Sequence, residues 1–289
     1  MMYPVLQSAV LVRPIASPAL EGHPPVLGER ERMVAVHRFE EFRQIVGQPL
    51  AVRVGGEVFP FRCEEPPLRE VVAQARAEPQ ARIATGTRGD TLLQSLRDYS
   101  AEFRSLPLEE AMRAPVHLTL FDLGALARPG GALYGIVEQV YRPLLRLWAD
   151  QGLRWKRAWP ILFLSGPGCS TNYHWDPDDV FFIMLSGHKR FYALNEPRRW
   201  LTPEMLAAAR ENPTDLSNRA RPAGLRPEDI RAFDMAPGEA LWNPIHAPHW
   251  VDADDKTAFS LSIAFTDVAF APSPQRAMAA ALFPDGVLT

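Results

Sequence analysis

Twenty-eight prolines are spread through a chain of 289 residues. Inside a helix a proline removes a backbone donor and clashes with the preceding turn, so a chain interrupted this often cannot be built from long helices. Many short elements joined by ordered loops are the expectation. After about residue 158 the remaining pattern points one way. Segments 161–164, 180–185, 190–194, 239–242 and 259–265 are short apolar or aromatic runs, separated by clusters of Gly, Pro, Asn and Asp. In the last of them Phe259, Leu261, Ile263 and Phe265 alternate with Ser260, Ser262 and Ala264, the period of a strand with one buried face. Short strands, frequent turns and few helices predict a mainly β chain with flanking helices, folded as an antiparallel sandwich or barrel. A hydrophobic fraction of 47% is ample for a packed core and excludes disordered and collagen-like classes.

Upstream the texture is mixed. A helix is expected near 39–46, a strand over 50–54, and a helix at Leu68 to Ala77 behind Pro66 and Pro67. Val116 to Leu120 reads as a strand. Ile136, Val140, Leu144, Leu147 and Trp148 fall on one face of a helix that Pro143 should kink. A polar, proline-rich insertion over 197–235 carries a short helix at 203–210, and a last helix is expected over 274–283. The predicted organisation is a mixed α/β extension (1–115) supporting a barrel (116–272), then a C-terminal helix and tail (273–289). That last helix could pack against a second copy in a homodimer. At ten residues it is short for the purpose, and closing the barrel's own edge is the other reading.

A formal charge of −3 gives no electrostatic footprint for nucleic acid or an acidic membrane. Two cysteines, Cys63 and Cys169, suit a reducing compartment rather than a disulfide framework. Apolar runs such as 180–185 are far too short to cross a bilayer. No basic stretch precedes the first apolar segment, so a signal peptide is not expected and a cytoplasmic location is. The expected partners are a peptide, protein or small-molecule substrate.

The chemistry concentrates in Thr171-Asn172-Tyr173-His174-Trp175-Asp176-Pro177. An imidazole and a carboxylate two residues apart, on or at the mouth of a strand, share one face and offer two ligands to a divalent metal. A third ligand from another strand completes a facial triad with open positions. His249, just before the alternating 259–265 strand, is the candidate; His246 competes with it and otherwise reads as an exposed loop histidine. The bland alternatives are a surface turn at Asp176-Pro177 and a half-buried His249 satisfied by a carbonyl. Trp175 either reaches toward a substrate opening or packs at the rim.

Lysine is rare. Of 31 basic residues, 28 are Arg and three are Lys156, Lys189 and Lys256. A lysine falling by chance at any one chosen place is therefore about a one-in-a-hundred event.

In order and spacing, Thr171, His174, Asp176, Phe181-Phe182 and Gly187-His188-Lys189-Arg190 resemble the Jumonji-C and cupin-like iron(II)- and 2-oxoglutarate-dependent oxygenases, above all their asparaginyl hydroxylase branch. Pro237-Gly238-Glu239 through His249-Trp250-Val251 resembles the family's second motif, and the likeness runs over roughly a third of the chain, from Trp159 to Phe265. The resemblance implies a double-stranded β-helix (cupin or jelly-roll) barrel. It implies that His174, Asp176 and His249 are the catalytic iron(II) ligands, and that Lys189 and Thr171 bind the far carboxylate of 2-oxoglutarate. His117, or Thr119, would line that pocket. The implied activity is a dioxygenase reaction with O2, hydroxylating an unactivated C–H bond of an amino-acid side chain in a peptide or protein. A free amino acid or a natural-product intermediate is the other substrate class. A non-catalytic metal- or ligand-binding cupin would keep the triad but have no use for Lys189 and Thr171; an isomerase or hydrolase would more often add a fourth metal ligand. Two departures stand out: Val180 and Ala264 occupy places where the asparaginyl hydroxylase has asparagines that orient groups around the metal.

Overall fold

The computed structural model describes residues 35–85, 97–171, 173–211 and 224–271. The helix expected over 274–283 lies outside the described residues. In chain order the strands are β1 (Ala35–Val36), β2 (Val52–Val54), β3 (Arg82–Thr85), β4 (Arg97–Asp98) and β5 (His117–Leu120). They continue with β6 (Leu153–Arg154), β7 (Arg157–Ser165), β8 (Asp179–Ser186), β9 (Lys189–Leu194) and β10 (Ile230–Met235). Then come β11 (Ala240–Asn243), β12 (His249–Ala253), β13 (Ala258–Thr266) and β14 (Ala269–Phe270). Nine strands form one sheet in the order β1-β2-β11-β8-β13-β7-β5-β3-β4, and β10-β9-β12 form a second. All pairings are antiparallel except β1 with β2. Strands from before residue 116 thus extend both edges of the large sheet.

Alternation decides what each face meets. From β13, Phe259, Leu261, Ile263 and Phe265 point to one side, where they join Leu162, Leu164, Phe181, Ile183 and the helical residues Phe42, Leu144 and Trp148. From the opposite face Phe182, Met184 and Leu241 meet Phe191, Ala193, Phe233 and Met235 of the small sheet. The outer face of the small sheet carries Tyr192, Leu194 and Trp250, covered by Leu201, Met205 and Leu206 of the 197–235 insertion. Helices, large sheet, small sheet and insertion therefore stack as successive layers, and two facing antiparallel sheets make the jelly-roll fold that the sequence predicts.

The helix Leu68–Ala77 and the strands over 161–164, 180–185, 190–194 and 239–242 form where the sequence places them. Two expectations need correction. β13 is buried on both faces, not one, because it lies centrally between β7 and β8 with a layer on each side. Its small residues are the inner face rather than a solvent face. The helix over 136–148 is not merely kinked at Pro143: α-helix resumes at Arg142–Asp150 only after a π turn, Val137–Tyr141. Pro143 has no N–H to give the turn before it, and the wider turn accommodates that loss.

Trp148 anchors the helical layer. It is fully buried, lies within 4.8 Å of the Phe181 ring and 5.6 Å of the Phe265 ring, and donates its indole N–H to the Val58 carbonyl at 2.8 Å. Trp148→Ala should lower stability by about 3–5 kcal/mol in a guanidinium titration. Trp148→Phe should cost less, retaining most of the packing while orphaning the Val58 carbonyl.

Candidate functional site

β7 ends at Ser165, and the chain returns along the open edge of β12 before β8 begins. This return is held by backbone bonds. Ala253 N–H donates to Cys169 O at 2.7 Å, Thr171 N–H to Val251 O at 2.7 Å, and Val251 N–H to Thr171 Oγ1 at 2.7 Å. His174 and His249 then exchange both bonds, at 3.0 and 2.7 Å, as an isolated antiparallel bridge. His174 sits at the mouth of the sheet, as its sequence spacing allows, but a bridge rather than a continuous strand brings it there. His246 N–H donates to Asp176 O at 2.9 Å and Ile245 N–H to Asp179 Oδ1 at 3.1 Å, which fastens the loop before His249 to the loop after His174.

The result is a cluster of donor atoms from His174, Asp176 and His249, all within 4.8 Å of one another, the one such cluster among the described residues. His174 Nε2 lies 4.0 Å from Asp176 Oδ1, and His249 Nε2 lies 3.6 Å from Asp176 Oδ2. Both gaps are too long for hydrogen bonds. They are the spacing expected of groups sharing an ion, since donors about 2.0–2.2 Å from a common centre sit about 3–4.4 Å apart. The two imidazoles are buried, with ring centroids 4.2 Å apart and planes at 50°. His249 is stacked on Phe191 at 4.9 Å and 8°. Its Nδ1 lies 2.9 Å from the Ala247 carbonyl, which can only accept, so Nδ1 carries a proton and Nε2 is the nitrogen that faces Asp176. A hard carboxylate with two imidazoles fits a divalent iron-type ion. His246 is not a member of the cluster; it occupies a turn with φ of 61°.

Deeper in the same interior lies Lys189. It is buried, and Nζ donates to the Phe163 carbonyl at 2.9 Å and to Ser260 Oγ at 3.1 Å. Among the described residues no carboxylate pairs with it. Burial pushes its ammonium down to about 7 from an ordinary 10.5. His117 is buried beside it, with Nδ1 3.3 Å from Ser165 Oγ and Nε2 buried without a hydrogen-bond partner. Burial first, then the nearby charges of Lys189 and His174, hold this imidazole well below the usual histidine range, so it is neutral at pH 7. Thr119, on the same inner face of β5, is also buried. Thr171 is held on β12 through its own hydroxyl oxygen, whose O–H remains a donor. Trp175 is packed with Tyr192 and Trp250, not presented to an opening.

Sequence reasoning missed three buried polar side chains that face this interior: Ser165, Ser260 and Asn243. For Ser260 the signal was available, since the small residues alternating with Phe259, Leu261 and Ile263 must face something. Asn243 carried no motif signal at all.

Residues 160–271 match the JmjC domain family. No curated protein matches the chain significantly. Among solved structures, the ribosomal oxygenase YcfD of Escherichia coli is 17% identical over 76% of this chain and 50% of that chain, with a TM-score of 0.42. YcfD in complex with cobalt and succinic acid is 14% identical over 76% of this chain and 49% of that one, with a TM-score of 0.41. A cupin superfamily protein from Desulfitobacterium hafniense is 15% identical over 39% of this chain and 72% of that one, with a TM-score of 0.25. The chain spans about half the length of the YcfD chains it matches.

Because the folded chain holds Lys189 below its unfolded proton affinity, the unfolded state binds more protons between about pH 7 and 10.5. Stability of the ligand-free protein should therefore rise with pH across that window, by a few kcal/mol at most. Lys189→Met should remove this rise and be at least as stable at neutral pH, as read from denaturant midpoints at pH 7 and pH 9.

Proposed function

We propose that this chain is an iron(II)- and 2-oxoglutarate-dependent oxygenase that hydroxylates an unactivated C–H bond of an amino-acid side chain in a peptide or protein. The observation that carries this reading is a His–Asp–His cluster and a buried lysine without an acidic partner among the described residues, inside one jelly-roll. A buried ammonium is costly unless it is paired and hydrogen-bonded. Here two oxygens, Phe163 O and Ser260 Oγ, orient Nζ and leave it one further N–H. A ligand with a carboxylate at one end and a metal-chelating group at the other satisfies the lysine and the cluster together, and 2-oxoglutarate is such a ligand.

His174, Asp176 and His249 would hold the ion from one side. Iron(II), when bound there with 2-oxoglutarate, supplies dioxygen activation coupled to loss of carbon dioxide from the keto acid. Everything else falls to the chain. Lys189 takes the far carboxylate by a charge-assisted hydrogen bond, with the Thr171 hydroxyl as second donor. The neutral His117 ring has one nitrogen toward Ser165 and a second, unpartnered one to offer the same ligand. Phe163, Phe182 and Phe191 line the interior with rings that exclude water, which strengthens each of these contacts.

The substrate would approach where Asp176, the most exposed of the three ligands, meets the 244–246 loop. A cleft of about 210 Å³ borders that loop, lined by Pro49, Leu201, Leu206, Ile245 and His246 and by none of the three ligands. Ile245 is exposed and His246 is held in a left-handed turn, a conformation uncommon for a residue with a side chain and often kept at functional sites.

Anaerobic titration of iron(II) and 2-oxoglutarate should produce a visible metal-to-ligand charge-transfer band, which His174→Ala abolishes. Lys189→Met should retain iron binding but weaken 2-oxoglutarate by on the order of 3–5 kcal/mol, about two to four powers of ten. At pH 8 calorimetry in buffers of different ionisation heat should find close to one proton taken up with 2-oxoglutarate, because the free lysine is held near 7. A silent wild-type titration overturns the proposal.

A further inference from the structure

The amide of Asn243 is nearly inaccessible, at 1% exposed, and stands at the end of β11 facing the site. Its Nδ2 lies 3.2 Å from Nδ1 of His249, while its Oδ1 is buried with no hydrogen-bond partner. The same Nδ1 lies 2.9 Å from the Ala247 carbonyl. These facts are in tension. The Ala247 contact requires a proton on Nδ1, and an amide N–H2 set against an N–H places two donors face to face. A side-chain amide has two ends of nearly equal shape, so turning it over about its last bond changes little else. Oδ1 then accepts from Nδ1–H, sharing that proton with Ala247 O, and the buried oxygen is orphaned no longer.

We infer that Asn243 is a positioning residue for His249. Resting on the metal-binding reading above, its carbonyl end fixes the imidazole as the Nδ1–H tautomer, with Nε2 aimed at the ion. Ala247 is two residues from His249 on the same turn and moves with it, so its carbonyl alone leaves the ring free to pivot about a single bond. Asn243 comes from a strand of the large sheet, paired with β8 at Val180. With the Phe191 ring stacked at 8° it fixes both the plane of the imidazole and its rotation in that plane. A polar partner on the far nitrogen of a metal-binding histidine raises the affinity of the near one and orients it.

The test uses cobalt(II), followed by its visible absorption, with the intact chain. Asn243→Leu keeps the volume and removes the amide. It should weaken cobalt(II) about tenfold or more, while the metal-free protein melts at or above the wild-type temperature, since an apolar side chain of similar volume replaces a buried amide. Nitrogen-15 shifts of His249 in the metal-free protein should move away from the Nδ1–H form. Asn243→Asp, which can only accept, should keep the Nδ1–H form and bind cobalt(II) at least as tightly as wild type. A purely structural asparagine would show the reverse: a lower melting temperature in Asn243→Leu with cobalt(II) affinity and His249 shifts unchanged. That result, or Asn243→Asp as weak as Asn243→Leu, overturns the inference while wild-type binding preserves the metal site. A wild type that takes up no cobalt(II) removes both.

Discussion

Two backbone hydrogen bonds between His174 and His249, at 3.0 and 2.7 Å, bring together residues 75 positions apart in the chain. The bridge is the end of a longer seam. Cys169, Thr171 and His174 all use main-chain atoms to occupy the open edge of β12, so the loop after β7 behaves as an irregular extra strand of the small sheet. Its polar groups are thereby satisfied where they would otherwise be buried unpaired. The cluster is thus assembled by main-chain pairing rather than by attraction among the ligands, whose side chains stand 3.6–4.0 Å apart, too far to bond one another. A cluster held this way needs no ion to assemble it.

The interior behind the triad depends on a second constraint, the composition of β13. That strand is sandwiched, and its outward-alternating Phe259, Leu261, Ile263 and Phe265 fill the helical core. Its inner face is Ser260, Ser262 and Ala264, small residues that leave room between the sheets. Into that room β9 sends a lysine. A large residue at 260 would crowd the lysine and remove an oxygen from its ammonium, so the place of this charge is settled by one strand's alternate positions.

Much of this was legible beforehand. Period-two alternation and proline-broken segments give strands over 161–164, 180–185 and 259–265, because those patterns report directly on which faces are covered. The grouping of His174, Asp176 and His249 follows from motif order, because the spacing of the turns brings the two stretches to one end of the barrel. Lys189 stood out by scarcity. What was not legible was partnership across strands. Nothing in the local sequence says that β13 is central, and so its Ser face read as solvent-facing. Nor does Pro143 announce that the turn before it must widen.

Asn243 is the sharpest case of the same difficulty. The resemblance implies amides at 180 and 264, where the chain has Val and Ala. In the sheet those two are direct partners, Val180 pairing with Ala264 on one side and with Asn243 on the other. The three positions form one row across β13, β8 and β11. An amide on this row is needed only within reach of the imidazole, and β11 runs straight into the 244–248 loop that carries His249. A motif compares residues at matching places along the chain; a sheet compares them across it. An amide absent from 180 and 264 stands one strand over, where the register of the sheet brings it against the ring.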